Sequence, residues 1–383
     1  MATPSWPPWR STSSARSGAC SGEPTGGRRC CCRSWWPPWT VEEVAEQLES
    51  AYVGRLGNEG ITSRERFVEM MVVDGCFLLE VMRAAAGGLH AKDYAPDDPV
   101  FSHHGLLYMV PYIRRDMLML ENQVPLLLLQ KLVAVETAEP PDADVINRMV
   151  LRFMSPSPRL PPSGTLGLHA LDLHRRNVLH GHYRPAAPCW SCRHEPGPDG
   201  IIVARSALEL YEAGIRFKRS HSASLRDIRF RHGMLSMPAV TVDDSTEHMF
   251  ANTMAFERLH AGAGNDVTAY VFFAGSIVKS AMDVAVLSNS GIIQNAAGGD
   301  EAVVTLFASI SKDMVLEPES ALEAVHRGVN AYCDKPWNKW RANIIHNYFR
   351  SPTSVLNFLA VVIALVMIVI QTAYTIMAFY YNQ

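Results

Sequence analysis

VLNFLAVVIALVMIVIQTAYTIMAF, residues Val355 to Phe379, contains no charged side chain. As an α-helix at about 1.5 Å per residue it extends roughly 37 Å, more than the roughly 30 Å of a bilayer's hydrocarbon core. The alternative is a helix buried in a protein core, but the run is longer than core helices usually are and shows no polar stripe. It therefore predicts a transmembrane helix over residues 353–380. Only Tyr380 to Gln383 follow it, so insertion after translation, as a tail anchor, is expected.

The flanks agree with a span. Lys335, Lys339, Arg341 and Arg350 precede it, interleaved with Trp337, Trp340, Tyr348 and Phe349, whereas Tyr374, Tyr380 and Tyr381 lie at the far end without Lys or Arg. Amphipathic rings favour the headgroup level and Lys/Arg excess marks the cytoplasmic side. The large domain is thus expected in the cytosol, at the plasma membrane or an endomembrane. A lipid-anchor signal would also end apolar, but it requires a secretory leader. Met1 to Thr40 has no apolar h-region to serve as one.

The remaining residues bound the domain. The chain has 383 residues, a formal charge of −3 and 48% hydrophobic residues, enough for one large or two small domains. Near-neutrality argues against nucleic acid as a partner. No N-x-[ST] sequon occurs, as a cytosolic domain permits. Eight cysteines without a framework spacing predict reduced thiols.

Residues 1–39 are low-complexity, with W-P-P-W at Trp6 and again at Trp36, and the default reading is disorder. Cys30 to Cys32 beside Arg28, Arg29 and Arg33 are either acylation sites or part of an N-terminus without an evolved role. Residues 40–153 read as helices, opened by capping boxes at Thr40–Glu43 and Thr62–Glu65. A Pro-rich variable region covers 154–200 and encloses one short helix. Residues 201–350 begin with a capping box at Ser206–Glu209, then switch to a period of two with His232-Gly233 at a hairpin turn. Another box at Asp244–Glu247 opens a helix to Leu259, and helices are expected at Val267–Leu287, Asp300–Lys312, Glu319–Cys333 and Pro336–Phe349. The fold class is mainly α (α+β): a multi-helix domain, a small β-hairpin element and one C-terminal transmembrane helix.

At this point a family likeness emerges. FVEMMVVDGCFLLEV (Phe67 to Val81), DMLMLENQVPLLLLQKL (Asp116 to Leu132), ALDLHRRN (Ala170 to Asn177), SALELYEAGIRFK (Ser206 to Lys218) and RFRHGMLSMPAVTVDDSTE (Arg229 to Glu247) resemble the plant "domain of unknown function 247" family. WNKWRA (Trp337 to Ala342) and YFRSP (Tyr348 to Pro352) resemble it too. The resemblance implies a plant-specific, largely helical, C-terminally anchored membrane protein without an established catalytic activity. It also implies a link, for some members, to self-incompatibility recognition and signalling. The Ser-Ile-Gly-Pro-Tyr-His-His-Gly segment usual near the family's N-terminus is missing, and His103-His104-Gly105 repeats only its end.

Candidate chemistry is sparse. Asp74 falls on an apolar stripe, which requires a partner; Arg114, Arg115 and Arg148 are candidates. Asp116, Glu121 and Asn122 lie between two apolar runs before Pro125, which fits the first turn of the next helix; capping that helix through buried hydrogen bonds is the expected role. Asp243, Asp244 and Glu247 read as a helix cap, worth roughly 1 kcal/mol, rather than a metal site. His180, His182, Cys189, Cys192 and His194 are the one zinc-like cluster, but the second half-site spacing is missing and a solvated loop is the simpler reading. Arg216, Lys218, Arg219, Arg226, Arg229 and Arg231 form a basic segment with two readings, a solvated hairpin face or a contact with anionic headgroups. No nucleophile elbow, P-loop, dinucleotide fingerprint or zincin motif occurs. The expectation is a membrane-anchored protein-interaction module that uses no cofactor, metal or catalytic residue, with the bilayer and an unidentified protein as partners. The competing reading is a membrane-tethered hydrolase or metal-dependent enzyme using Asp74, Asp116 or the His/Cys cluster.

Overall fold

The computed structural model describes residues 39–50, 52, 64–87, 94–155, 158–159, 161, 164–181, 205–312, 321–348 and 352–381. Its helices run α1 Trp39–Ser50, α2 Arg64–Ala85, α3 His103–Asp116, α4 Leu126–Thr137, α5 Ala143–Met154, α6 Ala170–Leu179 and α7 Ala207–Glu212. Strands β1 Arg216–Arg219, β2 Arg229–Arg231, β3 Met234–Met237 and β4 Val240–Val242 follow. Then come α8 Thr246–Leu259, α9 Asp266–Ile277, α10 Ala281–Asn289, β5 Ile293–Asn295, α11 Asp300–Ile310, α12 Ala321–Cys333, α13 Pro336–Tyr348 and α14 Pro352–Tyr381. The chain divides into two compact units, one of residues 1–180 and 247–263, the other of 181–246 and 264–383.

In the first unit, α2 supplies Phe67, Met71 and Leu78 to a core shared with Leu126, Leu128, Leu129 and Leu132 of α4 and Ile146 and Val150 of α5. Gly75 sits mid-helix because a Cβ there would lie 2.5 Å from Leu132 Cδ1. α4 is apolar nearly all round and, as expected for a run too short to span, is buried. α3 and α4 meet at 106°, joined by a 3-10 turn at Leu120–Asn122.

The bend is organised by Gln123. Its amide donates to the carbonyls of Met117 and Met119, both at 2.7 Å, and its Oε1 accepts from the Leu171 amide at 3.0 Å. Its own carbonyl accepts from the Tyr52 hydroxyl at 2.6 Å. A buried amide with every arm satisfied fixes the geometry of a turn, whereas a partly satisfied one would destabilise it. This corrects the capping reading of the segment. Glu121 is exposed, Asn122 half-buried, and Pro125 stands one residue before α4 with no side-chain cap. The first amide of α4, on Leu126, donates instead to Leu168 O at 2.9 Å.

The second unit holds the strands. β2 and β3 are antiparallel with Arg231 opposite Met234, leaving His232 and Gly233 as a two-residue loop at φ 50° and 77°. Two positive φ values are what a tight hairpin with normal strand twist demands. β1 then pairs parallel to β3, giving the order β1-β3-β2, and β4 pairs parallel to β5. The hairpin thus stands as read, and β1 and β4 fall within the stretch read with a period of two; their parallel pairing, and β5 itself, are not legible in the local pattern.

Two helix boundaries differ from the expectation. The single helix read over Val267–Leu287 is two, α9 and α10, meeting at 112°. Ser280 and Asp283 form a capping box at the break. The buried Asp283 carboxylate accepts from Lys279 N (3.2 Å), Ser280 N (2.9 Å), Ser280 Oγ (2.8 Å) and, from α7, Leu208 N (2.7 Å). At the start of α8, Asp243 rather than Asp244 is the organiser: its Oδ1 accepts from Ser245 N, Ser245 Oγ and Thr246 Oγ1, while Asp244 and Glu247 are exposed. Burial would raise the Asp243 pKa, but these hydrogen bonds outweigh it and hold the carboxyl below its ordinary value. The Ser206–Glu209 box is present with both reciprocal bonds. The side chains of the Thr40 and Thr62 boxes, residues 1–38 and the cluster from His182 to His194 lie outside the described residues.

Gln123→Leu and Asp283→Ala each strand several buried amides or carbonyls, so each is expected to cost about 2–4 kcal/mol. Urea unfolding of the detergent-solubilised chain checks this; an unchanged midpoint for both would mean that these side chains do not hold their bends.

Candidate functional site

α14 is the one described helix long and apolar enough to cross a membrane unbroken, and its stretch Leu356–Met377 is exposed throughout. The bent pairs α3–α4 and α9–α10 are also apolar, yet Leu126, Leu128 and Leu129 of one and Val271, Phe273 and Val284 of the other are buried in protein. Lipid is therefore the natural environment for α14 and not for them.

The preceding helix, α13, is docked on the second unit. His346 Nδ1 lies 3.2 Å from Glu212 Oε2 at the end of α7, and Asn338 Nδ2 donates to Tyr332 O at 2.7 Å. Arg341 packs over Gly214, where a Cβ would come within 2.7 Å of Nη1; the φ of 98° at Gly214 also favours glycine. Lys339 and Arg205 converge on Asp334 at 3.3 and 2.8 Å. Trp337 and Trp340, one helical turn apart, are instead 71% and 56% exposed, with ring centroids 5.1 Å apart. An exposed Trp pair one short helix before a span matches the amphipathic environment of headgroups. Tyr374 is exposed near the far end of the span. Tyr348 and Tyr380 lie within α13 and α14 with side chains outside the described residues, as does Arg350 entirely.

The other candidate residues do not converge on a reaction centre. Asp74 is buried within α2, and Asp116 ends α3, its carboxyl raised by burial against the opposing charge of Arg115. Of the Arg residues considered for Asp74, Arg114 lies over the Phe153 ring at 5.1 Å, Arg115 meets His248, and Arg148 is exposed. Among the described residues no group of three or more His, Cys, Asp or Glu could hold a metal ion. A small cavity beside Arg205, Phe273 and His326 measures about 10 Å³, the room of one water.

ALDLHRRN on α6 is used for structure at nearly every position. Leu171 and Leu173 are core; Asp172 accepts from Leu168 N at 3.0 Å and pairs with Arg176 at 2.7 Å. Arg175 forms a buried ion pair with Glu257 of α8 at 2.8 Å, and Asn177 accepts from Arg159 N. His169 Nδ1 accepts from Asp172 N at 3.2 Å with its ring edge-on to Phe256, and a ring nitrogen that accepts must be unprotonated. Burial lowers the pKa of His169, His174 and His326 to about 4 each.

Together these features define a mainly helical protein carrying one C-terminal apolar helix that can anchor it in a membrane. The chain belongs to the plant family described as "Plant protein of unknown function", domain of unknown function 247, which matches residues 39–367. It is similar to the UPF0481 protein At3g47200 of Arabidopsis thaliana, 28% identical over 364 residues, covering 88% of this chain and 73% of that one. A second UPF0481 protein of the same plant, At3g02645, is 24% identical over 172 residues, covering 44% of this chain and 32% of its own. No solved structure matches. The family is of unknown function, and no catalytic activity is indicated for it.

The histidines yield a pH dependence. Unfolded imidazoles protonate near pH 6.5, whereas these folded ones stay neutral down to about 4. The unfolded chain binds more protons in that window, so stability is full above pH 6.5 and falls as pH drops towards 4. Urea midpoints measured across that range should decline on acidification, and less steeply in His174→Gln; a flat profile would contradict the buried neutral assignment.

Proposed function

We propose that this chain is a membrane-anchored recognition module: α14 holds it in a plasma membrane or endomembrane, and the helical domain binds a protein partner from the cytosolic side. The observation that supports it most is the outer face of α3. Leu107, Tyr108 and Tyr112 are 63%, 57% and 59% exposed, with Met109 and Pro111 exposed between them. Tyr108 and Tyr112 are one turn apart, and His104 lies 4.6 Å from the Tyr108 ring. Exposed aromatic and aliphatic side chains gathered on one short helix are the composition of binding hot spots rather than of an ordinary solvated face. The family resemblance points the partner towards signalling or self-recognition, as in self-incompatibility. The Lys and Arg residues before the span support the cytosolic orientation.

Two measurements test this. The full chain is expected to pellet with membranes, to resist alkaline extraction, and to lose its N-terminal domain to protease added outside intact microsomes. Recovery in the detergent-free supernatant would remove the anchor, and protease protection would reverse the orientation. Proximity labelling by the anchored protein should lose a defined set of neighbours in L107E/Y112E while sedimentation is unchanged; an identical set of neighbours would refute α3 as the docking face.

A further inference from the structure

The register of the three-stranded sheet sorts the basic segment onto two faces. Pairing aligns Arg216 with Met234 and Arg231, and in the next like-facing row Lys218 with Ser236 and Arg229. The intervening row, Phe217–Leu235–Phe230, points the other way, with Leu235 fully buried and Phe230 edge-on to Tyr332 of α12 at 5.6 Å. One face is therefore core, and the other carries four cations, one methionine and one serine. Arg216, Lys218 and Arg231 are exposed and have no acidic partner among the described residues. Arg229 pairs with Asp227 at 2.6 Å, and Arg226, outside the strands, pairs with Asp266 at 2.6 Å.

We infer that this sheet face is a docking surface for anionic phospholipid headgroups of the same leaflet in which α14 is anchored. Chain geometry sets the distance. Arg341 of α13 rests on Gly214, two residues before β1 begins. From Arg341 to Tyr348 the helix covers about 10 Å, and the four steps to Pro352 add at most about 15 Å. With the reach of the Arg341 side chain and the two steps from Gly214 to Arg216 added, the first residues of β1 lie within roughly 45 Å of the start of the span at full extension. The exposed Trp pair on α13 belongs at the headgroup level, which shortens the gap further. That tether lets the face approach the headgroups, and within about a Debye length of them an anionic surface attracts Lys and Arg, roughly fivefold in occupancy for each. Tethering also supplies the lipid at a fixed, high local concentration, which a soluble acidic ligand lacks. A face of four like charges, three of them (Arg216, Lys218 and Arg231) exposed and without an acidic partner among the described residues, fits a planar anionic surface better than a single carboxylate.

The inference rests on α14 being a membrane anchor, and the test separates the two. The full chain is reconstituted in nanodiscs of phosphatidylcholine alone or with phosphatidylserine, and amide hydrogen exchange is followed by mass spectrometry. Failure to copurify with either disc removes the anchor reading. For chain that inserts, exchange across residues 216–219 and 229–237 is expected to be several-fold slower in phosphatidylserine discs, and high salt should erase the difference. R216E/K218E/R231E should abolish it, whereas R216K/R231K, which keeps the charge, should retain it. Equal exchange in both discs, or a difference that survives charge reversal, overturns the inference. So does slowing in phosphatidylcholine discs by an added acidic peptide but not by phosphatidylserine, which would make the face a protein site.

Discussion

The constraint on which the rest depends is the free-energy cost of leaving α14 in water. The exposed stretch Leu356–Met377 presents Leu, Val, Ile, Met and Phe on every side, and none of it is buried among the described residues. At about 25 cal/mol per Å² of apolar surface, even a few such side chains add up to several kcal/mol. Its backbone is internally satisfied as a helix, the one open-chain form that hydrocarbon tolerates. Lipid is therefore the environment that this helix fits, and α14 can anchor the second unit at an interface. The bonds between α13 and the body of that unit follow from it. His346 with Glu212, Arg341 over Gly214 and Asn338 with Tyr332 O make the last helix before the anchor part of the domain rather than a loose tether.

Bends in both units are set by polar side chains inside apolar surroundings. Gln123 turns α3 back into α4, and Asp283 breaks α9 from α10 while also holding α7. Arg175 and Glu257 join α6 to α8 as an ion pair shielded from water. Removing one partner of such a pair costs more than its formation contributes, because the survivor stays buried and charged. These groups consequently specify geometry more than they add net stability. They are also the places where a tolerant hydrophobic core would otherwise admit several packings.

That distinction explains what could be read from the amino-acid string. The span, the amphipathic helices α2, α5, α11 and α12, the Ser206–Glu209 cap and the turn at His232-Gly233 depend on local period and turn chemistry, and the structure has them where expected. β5 was not legible because Ile293–Asn295 is three residues long and gains its partner β4 from far along the chain. Asp283 is not legible as a break although Ser280-x-x-Asp283 is a capping signature, because the apolar period runs through it unbroken. In the segment LENQVP, Glu121 and Asn122 drew attention as polar residues between apolar runs, but which of three adjacent side chains turns inward depends on the 3-10 turn and on α6. The burial of Gln123 is a tertiary property that its local pattern does not encode, unlike that of Asp74, which its place on the apolar stripe of α2 indicates.

The same accounting bears on where function can reside. The strings that mark the family are largely consumed in construction: Asp172, Arg175, Arg176 and Asn177 on α6, Gly75 against α4, Gln123 at the bend, and Glu209 in its cap. Residues committed to buried hydrogen bonds cannot also offer those atoms to a ligand without breaking the fold. Among the described residues, the surfaces that the scaffold leaves outward include the apolar face of α3 and the cationic face of β1-β3-β2. Both are surfaces suited to contact. A membrane anchor strengthens both, since confinement to a bilayer raises the local concentration of any partner sharing it and offsets the weakness of a small contact area.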